Sequence, residues 1–483
     1  MSASTSNITS GFIDLATFDE LEKYLYGGAN ATAYFVRETR KATWFTQVPV
    51  PLSRSNGAAD FGQDHSVNIS RAGDYLIAAW LRATFPAIQL ANLSTYSNGA
   101  TRDNVRVRWT RNLMHNLVQE CSITFNDLVA ARFDSFHLDF WAAFTTPAGK
   151  LNGYKNMIGD ISELIDPQPF VANAASIPAA TLNLPLPLFF ARDSGVALPT
   201  AALPYNDMRI TYTFRQWQQL LILDNVMPPA GAQSSVPQAA DLNNSSPPAL
   251  SNVQTWANYA IVSNDERKRM ACAPRNILIE QAQTAPLQNF NPTTNSTPSY
   301  DLRFSHAIKV MFFAVQNWTV QNQWSNYTSA CPLVGNATIN WNPSGAADPV
   351  QSTSLTYENT PRLSNMGSDY YSLVQPWYHA PVIPLATGYH MYSYSLDFIC
   401  LDPKGSTNYG KLTNVSIAPV ASPAAVAGSA GTAGTDSGAD FPQVYRFICT
   451  VVNNNIIRIS GGALGSKYWG TQTGSCSHSR VNT

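Results

Sequence analysis

At 483 residues the chain exceeds what a single hydrophobic core usually supports, roughly 250–300 residues, so two domains of about 200 residues each are the starting expectation. Hydrophobic residues make up 45% and aromatics 11%, whereas charged residues are only 13%, about half the usual share of ~25%, which leaves the surface to Asn, Ser, Thr, Gln and backbone. With 30 Lys and Arg against 31 Asp and Glu and no block of like charge, the chain lacks the clustered basic residues that phosphate binding uses, which argues against nucleic acid as a direct partner.

The opening MSASTSNITSGF has no basic stretch followed by an apolar core, and no segment reaches the roughly 18 apolar residues of a membrane span, so a protein made and kept on the cytosolic side is expected. Thr17 followed by Glu20 has the S/T-x-x-E form of a capping box, and Leu21 and Leu25 follow at helical spacing before Gly27-Gly28, which predicts a short helix in an N-terminal arm. GDYLIAAWLRATF is apolar at successive positions, as in a strand covered on both faces. Val105, Val107 and Trp109 alternate with polar residues, as one half-buried strand does.

Phe133, Phe136, Phe140, Trp141 and Phe144 then break the strand pattern with three- and four-residue steps, predicting an amphipathic helix near 134–145. Its aromatic face reads as a lid over the end of a sandwich and not as a cofactor box. In DMRITYTF, Met208, Ile210, Tyr212 and Phe214 return to strand alternation. HAIKVMFFAV again suits a strand buried on both faces, and two more alternating runs follow: Tyr392, Tyr394, Leu396, Phe398, Cys400, and Tyr445, Phe447, Cys449, Val451.

Prolines (31) and glycines (27) punctuate these strands at short intervals, the pattern of an all-β sandwich with long loops. Two loop-like segments, 227–252 and 419–440, stand in matching order. The first lies between DMRITYTF and TWANYAIVSN, the second between KLTNVSIAPV and VYRFICTVVNN, which suggests a duplicated β domain whose last two strands each loop connects.

Residues that carry chemistry are sparse. Cys121, Cys272, Cys331, Cys400, Cys449 and Cys476 are spread singly, with no CxxC pair to suggest a disulfide scaffold or zinc site. His65, His115, His137, His306, His379, His390 and His478 show no HxH or HExxH spacing and read as core or surface residues. Eleven Asn-X-Ser/Thr sequons, Asn7, Asn68 and Asn326 among them, read as a by-product of Asn/Ser/Thr richness. No GxSxG elbow or Walker loop is present, and the Gly-rich run 428–438 reads as a flexible loop. In GSTNYGKLTN, Lys411 beside small residues invites a phosphate-site reading, but a tight turn fits better, with Gly405 supplying an unusual backbone angle and Asn408 bonding locally. No catalytic, cofactor-binding or metal-ligating residue is expected.

Taken together, these segments resemble the major capsid proteins of nucleocytoplasmic large DNA viruses, most closely those of iridoviruses. The resemblance rests on SGFIDLATFDELEKYLYGG, TAYFVRETRKATWFTQVP, RWTRNLMHNLVQECSITFND, GYKNMIGD and PLPLFFARDSGVALPTAALPYNDMRI. SNDERKRM, NILIEQAQTAP, LRFSHAIKVMFFAVQN, SLTYENTPRL, YYSLVQPWYH, DPKGSTNYGKLTN and NNNIIRISGGALG follow in the same order.

It implies an all-β fold of two tandem jelly-roll β-sandwich domains with short helices in the loops. The expected divisions are an N-terminal arm with a short helix (1–28), a first jelly roll (29–264), a linker (265–275) entered at SNDERKRM, a second jelly roll (276–465) and a C-terminal tail (466–483). It further implies a non-enzymatic building block of a virion, made and assembled in host cytoplasm. That block is a homotrimer whose head-to-tail interfaces bury roughly 2,000 Å² or more and whose pseudo-hexagonal capsomers tile an icosahedral shell. Neighbouring capsomers, penton and minor capsid proteins are the implied partners, with an internal virion membrane on the inner side, toward which the arm points. A second reading, from another class, is a jelly-roll carbohydrate-binding protein or glycosidase, since this fold hosts both. Trp318, Trp324 and Trp377 are its candidate sugar-stacking residues, against a plainer reading of scattered tryptophans as core.

Overall fold

The computed structural model describes residues 3–36, 39, 41–226, 233–272, 274–329, 333–334, 338–339, 347–430, 442–460 and 463–466. The tail beyond 466, most of the Gly-rich run, the start of the Pro/Ser-rich segment, His478, Cys331 and Cys476 lie outside the described residues. Residues 1–44 and 45–483 are two separate units.

The N-terminal unit holds α1 (Ala3–Ala16) and α2 (Glu20–Tyr26). The first has no counterpart in the sequence reading. Ile8, Phe12 and Leu15 lie on one of its faces and are all exposed. The second ends at Gly27 as expected, but its cap is Asp19, whose carboxylate accepts from Leu21 N, while the Thr17 hydroxyl donates to Asp14 O. The capping-box reading fails because a shorter helix start, with Asp at the favoured position, was available two residues on.

The larger unit opens with β1 (Phe45–Pro51), β2 (Ser53–Asn56), β3 (Asp64–Asn68), β4 (Tyr75–Phe85) and β5 (Val105–Trp109). After α3 (Leu113–Leu117) come β6 (Val118–Phe125) and β7 (Leu128–Asp134), then α4 (Ser135–Thr145), α5 (Ala148–Ile158) and α6 (Ser162–Ile165). The first roll closes with β8 (Gln168–Pro169), β9 (Ala180–Pro185), β10 (Met208–Phe214), β11 (Leu221–Asn225), β12 (Gln233–Ser235) and β13 (Ser251–Val262). These pair in the orders β1-β13-β4-β9, β2-β3-β10-β6-β7 and β12-β11-β5-β8, around one core that includes Leu81, Phe85, Trp109, Ile123, Ile210 and Tyr212.

A helix, α7 (Asn264–Cys272), leads into β14 (Arg275–Thr284), β15 (Gln288–Phe290), β16 (Tyr300–Asp301) and β17 (Ala307–Asn317). After a small hairpin of β18 (Leu333–Val334) and β19 (Thr338–Ile339) follow β20 (Val350–Tyr357), β21 (Thr360–Gly367), α8 (Gln375–His379), β22 (His390–Ser393) and β23 (Thr407–Asn408). The described residues finish with β24 (Val415–Ala421), α9 (Pro423–Ala430), β25 (Tyr445–Ser460) and β26 (Ala463–Ser466). Here the sheets run β14-β25-β17-β22 and β16-β24-β20-β21, and all recorded pairings are antiparallel. Met311, Phe313 and Val315 of β17, Ile417 of β24 and Phe447 of β25 meet between the two sheets in a second core. The chain is thus all-β, two jelly rolls in tandem with short helices between strands.

Three expectations change. β4 is interior to its sheet, but only one face is buried; on the other, half-exposed Trp80 stacks on Trp256 of β13 at 6.3 Å. The run from Tyr392 to Cys400 is a strand only to Ser393, and Leu396 is exposed, because Ser393 and Ser395 turn the chain by bonding their own neighbours: Ser393 Oγ donates to Ser395 O, and Ser395 Oγ to Asp397 O. The Pro/Ser-rich loop does not join β10 to β13 directly, since β11 and β12 intervene; its Gly/Ala counterpart does join β24 to β25, beginning as α9.

Candidate functional site at the seam between the two rolls

The aromatic helix decides how the rolls meet. Asp134 caps α4 by accepting from His137 N at 2.9 Å, and Phe136, Phe140 and Phe144, one turn apart, form a single apolar face. That face lies on Val310, Phe312 and Ala314 of β17, Ile448 and Val452 of β25, and Tyr327, Tyr389, Met391 and Phe398. Phe144 and Phe312 stack at 5.3 Å, and Trp141 meets Phe398 edge-on at 5.9 Å. The helix is therefore a wedge between the rolls and not a lid over the end of one. The physical reason is β17: its odd-numbered residues from Met311 fill the second core, so its even-numbered residues present a second apolar face that must also be covered.

β25 serves three interiors in succession. Phe447, Cys449 and Val451 belong to the second core, Ile448 and Val452 to the wedge, and Ile457 and Ile459, beside Ile277 and Ile279 of β14, to the core of the first roll.

Polar groups cross the same seam. Glu280 of β14 accepts from Lys309 Nζ at 2.5 Å and from Arg192 Nε at 2.7 Å, and Lys309 also donates to Cys400 O. A register shift between β17 and β25 falls at Lys309. The Arg192 guanidinium lies 4.1 Å over the Trp141 ring. Asp139 of α4, itself buried, accepts from Asn112 Nδ2, His115 Nδ1, Ser325 Oγ and Tyr327 OH, joining residues of both rolls on one carboxylate. Four donors satisfy the charge, as a buried carboxylate requires.

The described histidines differ in burial and in partners. His137, wedged between Phe133 and Trp141, is pushed down to about 3 by burial and, secondarily, by the Arg192 charge. His65 is lowered by burial and then by Arg54, with neither ring nitrogen partnered. His115 bridges Asp139 and the Tyr154 hydroxyl, His390 pairs with Asp348, His379 faces Leu396 O, and His306 adopts positive φ in a loop. Among the described residues no group of three or more His, Cys, Asp or Glu stands close enough to hold a metal. Gly405 takes φ 123°, where an added Cβ would come within 2.7 Å of Tyr394 O, and Asn408 accepts from Gly410 N, so both play the local backbone roles expected of them, but GSTNYGKLTN is more than a tight turn: Thr407–Asn408 (β23) pairs with β17 before a single 3-10 turn at Tyr409–Lys411. Trp377 is exposed on α8, while Trp318 and Trp324 are half-buried together.

Comparison with known proteins reads this architecture. A family model described as the N-terminus of the major capsid protein matches residues 33–262, and one described as large eukaryotic DNA virus major capsid protein matches residues 266–465. The chain belongs to the large eukaryotic DNA virus major capsid protein family. The major capsid protein of Invertebrate iridescent virus 6 is 64% identical over 476 residues, covering 96% of this chain and 99% of that protein. That of Lymphocystis disease virus 1 (isolate Darai) is 47% identical over 466 residues, covering 96% and 99%. Among solved structures, PBCV-1 VP54, fitted into a reconstruction of the virophage Sputnik, superposes with a TM-score of 0.69 at 20% identity, covering 91% of this chain and 100% of that one. Its fold is shared. The function is that of a major capsid protein of a large DNA virus, located in the virion shell. For a capsid protein the functional geometry is the fixed disposition of its two sandwiches, and α4, β17, β25 and the Glu280 cluster are what fix it.

Proposed function

We propose that the chain acts as a homotrimer whose pseudo-hexagonal capsomers tile an icosahedral shell, and that it has no catalytic role. The observation that carries this is the seam. Apolar packing of α4 on β17, reinforced by buried charge pairs, makes the two sandwiches one rigid block, so three copies set six similar sandwiches around one axis. Head-to-tail closure of that ring needs two different surfaces per copy and an interface of roughly 2,000 Å² or more.

In this reading residues 29–264 and 276–465 are the two rolls, 265–275 joins them, and the arm at 1–28 and tail at 466–483 serve contacts beyond the block. The exposed stripe of Ile8, Phe12 and Leu15 suits an apolar partner on the inner side of the shell, a minor capsid protein or an internal membrane, while neighbouring capsomers and penton proteins contact the rim. Synthesis and assembly take place in the host cytoplasm, without direct contact with nucleic acid.

Light scattering after size exclusion tests the oligomer: a mass three times that of the 52.7 kDa chain that resists dilution is expected, with hexagonal outlines in electron micrographs. A stable monomer or dimer overturns the reading.

A further inference from the structure

The two rolls also border a wide, solvent-open cleft of about 560 Å³, within the roughly 300–1,000 Å³ typical of ligand sites. Its composition is unusual. None of its lining residues is charged, and apart from two indoles its polar side chains are amides. Four of these line it from both rolls, Gln216, Gln218 and Gln219 from the first and Gln321 from the second; Gln218 is half-buried and the other three are exposed, so their amides are open to a ligand entering from solvent.

Trp318 and Trp324 supply the apolar part. Their rings stand 4.7 Å apart at 61°, a corner of two indoles. Each is held in place: the Arg446 guanidinium lies 4.3 Å over Trp318, the Arg215 guanidinium 3.9 Å over Trp324, and Trp324 Nε1 donates to Gln219 O at 2.8 Å. The Asn322 side chain ties the second roll to first-roll backbone as well, its Nδ2 donating to Gln218 O and Leu221 O.

We propose that this cleft binds a neutral saccharide of one or two pyranose rings. A sugar ring presents a C–H face that packs on an aromatic surface by dispersion and by the attraction of positively polarised hydrogens to the π face. Its rim of hydroxyls both donates and accepts, which glutamine amides match and a carboxylate or ammonium matches only in part. No lining residue is itself charged, and the neighbouring Arg215 and Arg446 guanidiniums are engaged on the indoles, so the cleft offers an anion no direct partner, while an apolar ligand would desolvate the amides. The inference is independent of shell geometry: it assigns a recognition surface to the block and not a further assembly contact.

The test uses purified full-length protein with lactose, maltose and N,N′-diacetylchitobiose as probes, followed by saturation-transfer NMR and tryptophan fluorescence. At least one probe is expected to bind saturably and to quench emission. The double variant Gln218→Ala/Gln321→Ala, which keeps the backbone oxygen of Gln218 that accepts from Asn322, should weaken that binding about fivefold or more while leaving the melting temperature in place. Trp318→Phe, which keeps a ring but reduces its area, should weaken it as well. Absence of saturable binding for all three sugars, equal affinity in the double variant, or occupancy by a proline-rich peptide in place of any sugar would overturn the proposal.

Discussion

Phe140 of the first roll and Phe312 of the second stack with centroids 5.9 Å apart and planes within 6° of parallel, both side chains fully buried. Neither ring has a place in its own roll's sandwich core; both lie in the apolar cluster that joins the two halves of the chain.

Truncating either ring should therefore act on the union of the rolls. Phe140→Ala or Phe312→Ala is expected to cost about 3–5 kcal/mol, as buried Phe truncations do. Chemical denaturation checks the magnitude. Limited proteolysis checks the place: new cleavage near α7 and β14 is expected, ahead of cleavage within either sandwich.

Glu280 offers a second handle. Glu280→Gln leaves Lys309, only 1% exposed at its side chain, without its counter-charge, and the expected loss is about 3–5 kcal/mol. Glu280→Leu combined with Lys309→Met should recover part of it, since an apolar pair avoids the stranded charge. Equal stability of single and double variants in urea would refute this account.

Acid sensitivity follows from His137. Its folded-state value of about 3 lies below the 6.5 of an unfolded chain, so between those limits the unfolded state takes up the proton first. The neutral, buried form thus contributes fully above pH 6.5, and its contribution is lost as pH falls toward 3, by up to about 1.4 kcal/mol per pH unit. His65 is lowered in the same direction. Thermal melting from pH 7.5 to 4 should show a steady decline, flatter in His137→Gln.

Thiol reactivity is predicted to sort by depth. Burial pushes the Cys121 and Cys449 thiols well up, and both are enclosed, whereas Cys400 is half-exposed. Iodoacetamide on native protein, read by peptide mass spectrometry, should modify Cys400 and spare the other two until denaturant is added.

Much of this architecture is legible in the residues because period-two patterning has one physical cause, a sheet with one wet face. Met208 to Phe214 and Tyr445 to Val451 show it, and both form strands. Phe136, Phe140 and Phe144 mark a helix for the corresponding reason. What the residues do not carry is the identity of the covering surface. HAIKVMFFAV announces two buried faces without naming α4 as the cover for one, and Lys309 within it reads as an interruption until Glu280 is found opposite. The helix Ala3–Ala16 escapes notice because Ser and Thr dilute its propensity, although the spacing of Ile8, Phe12 and Leu15 was there to be read. Trp318 and Trp324, six residues apart, give no hint that glutamines from the other roll stand across from them.

The sixteen residues of β25 span about 50 Å at ordinary strand rise. Since it follows every strand of the first roll in chain order yet supplies Ile457 and Ile459 to that roll's core, the core stays incomplete until residue 459 has left the ribosome. A product truncated before residue 457 would lack Ile457 and Ile459 and leave their partners in that core, Ile277 and Ile279 among them, uncovered, an aggregation-prone state.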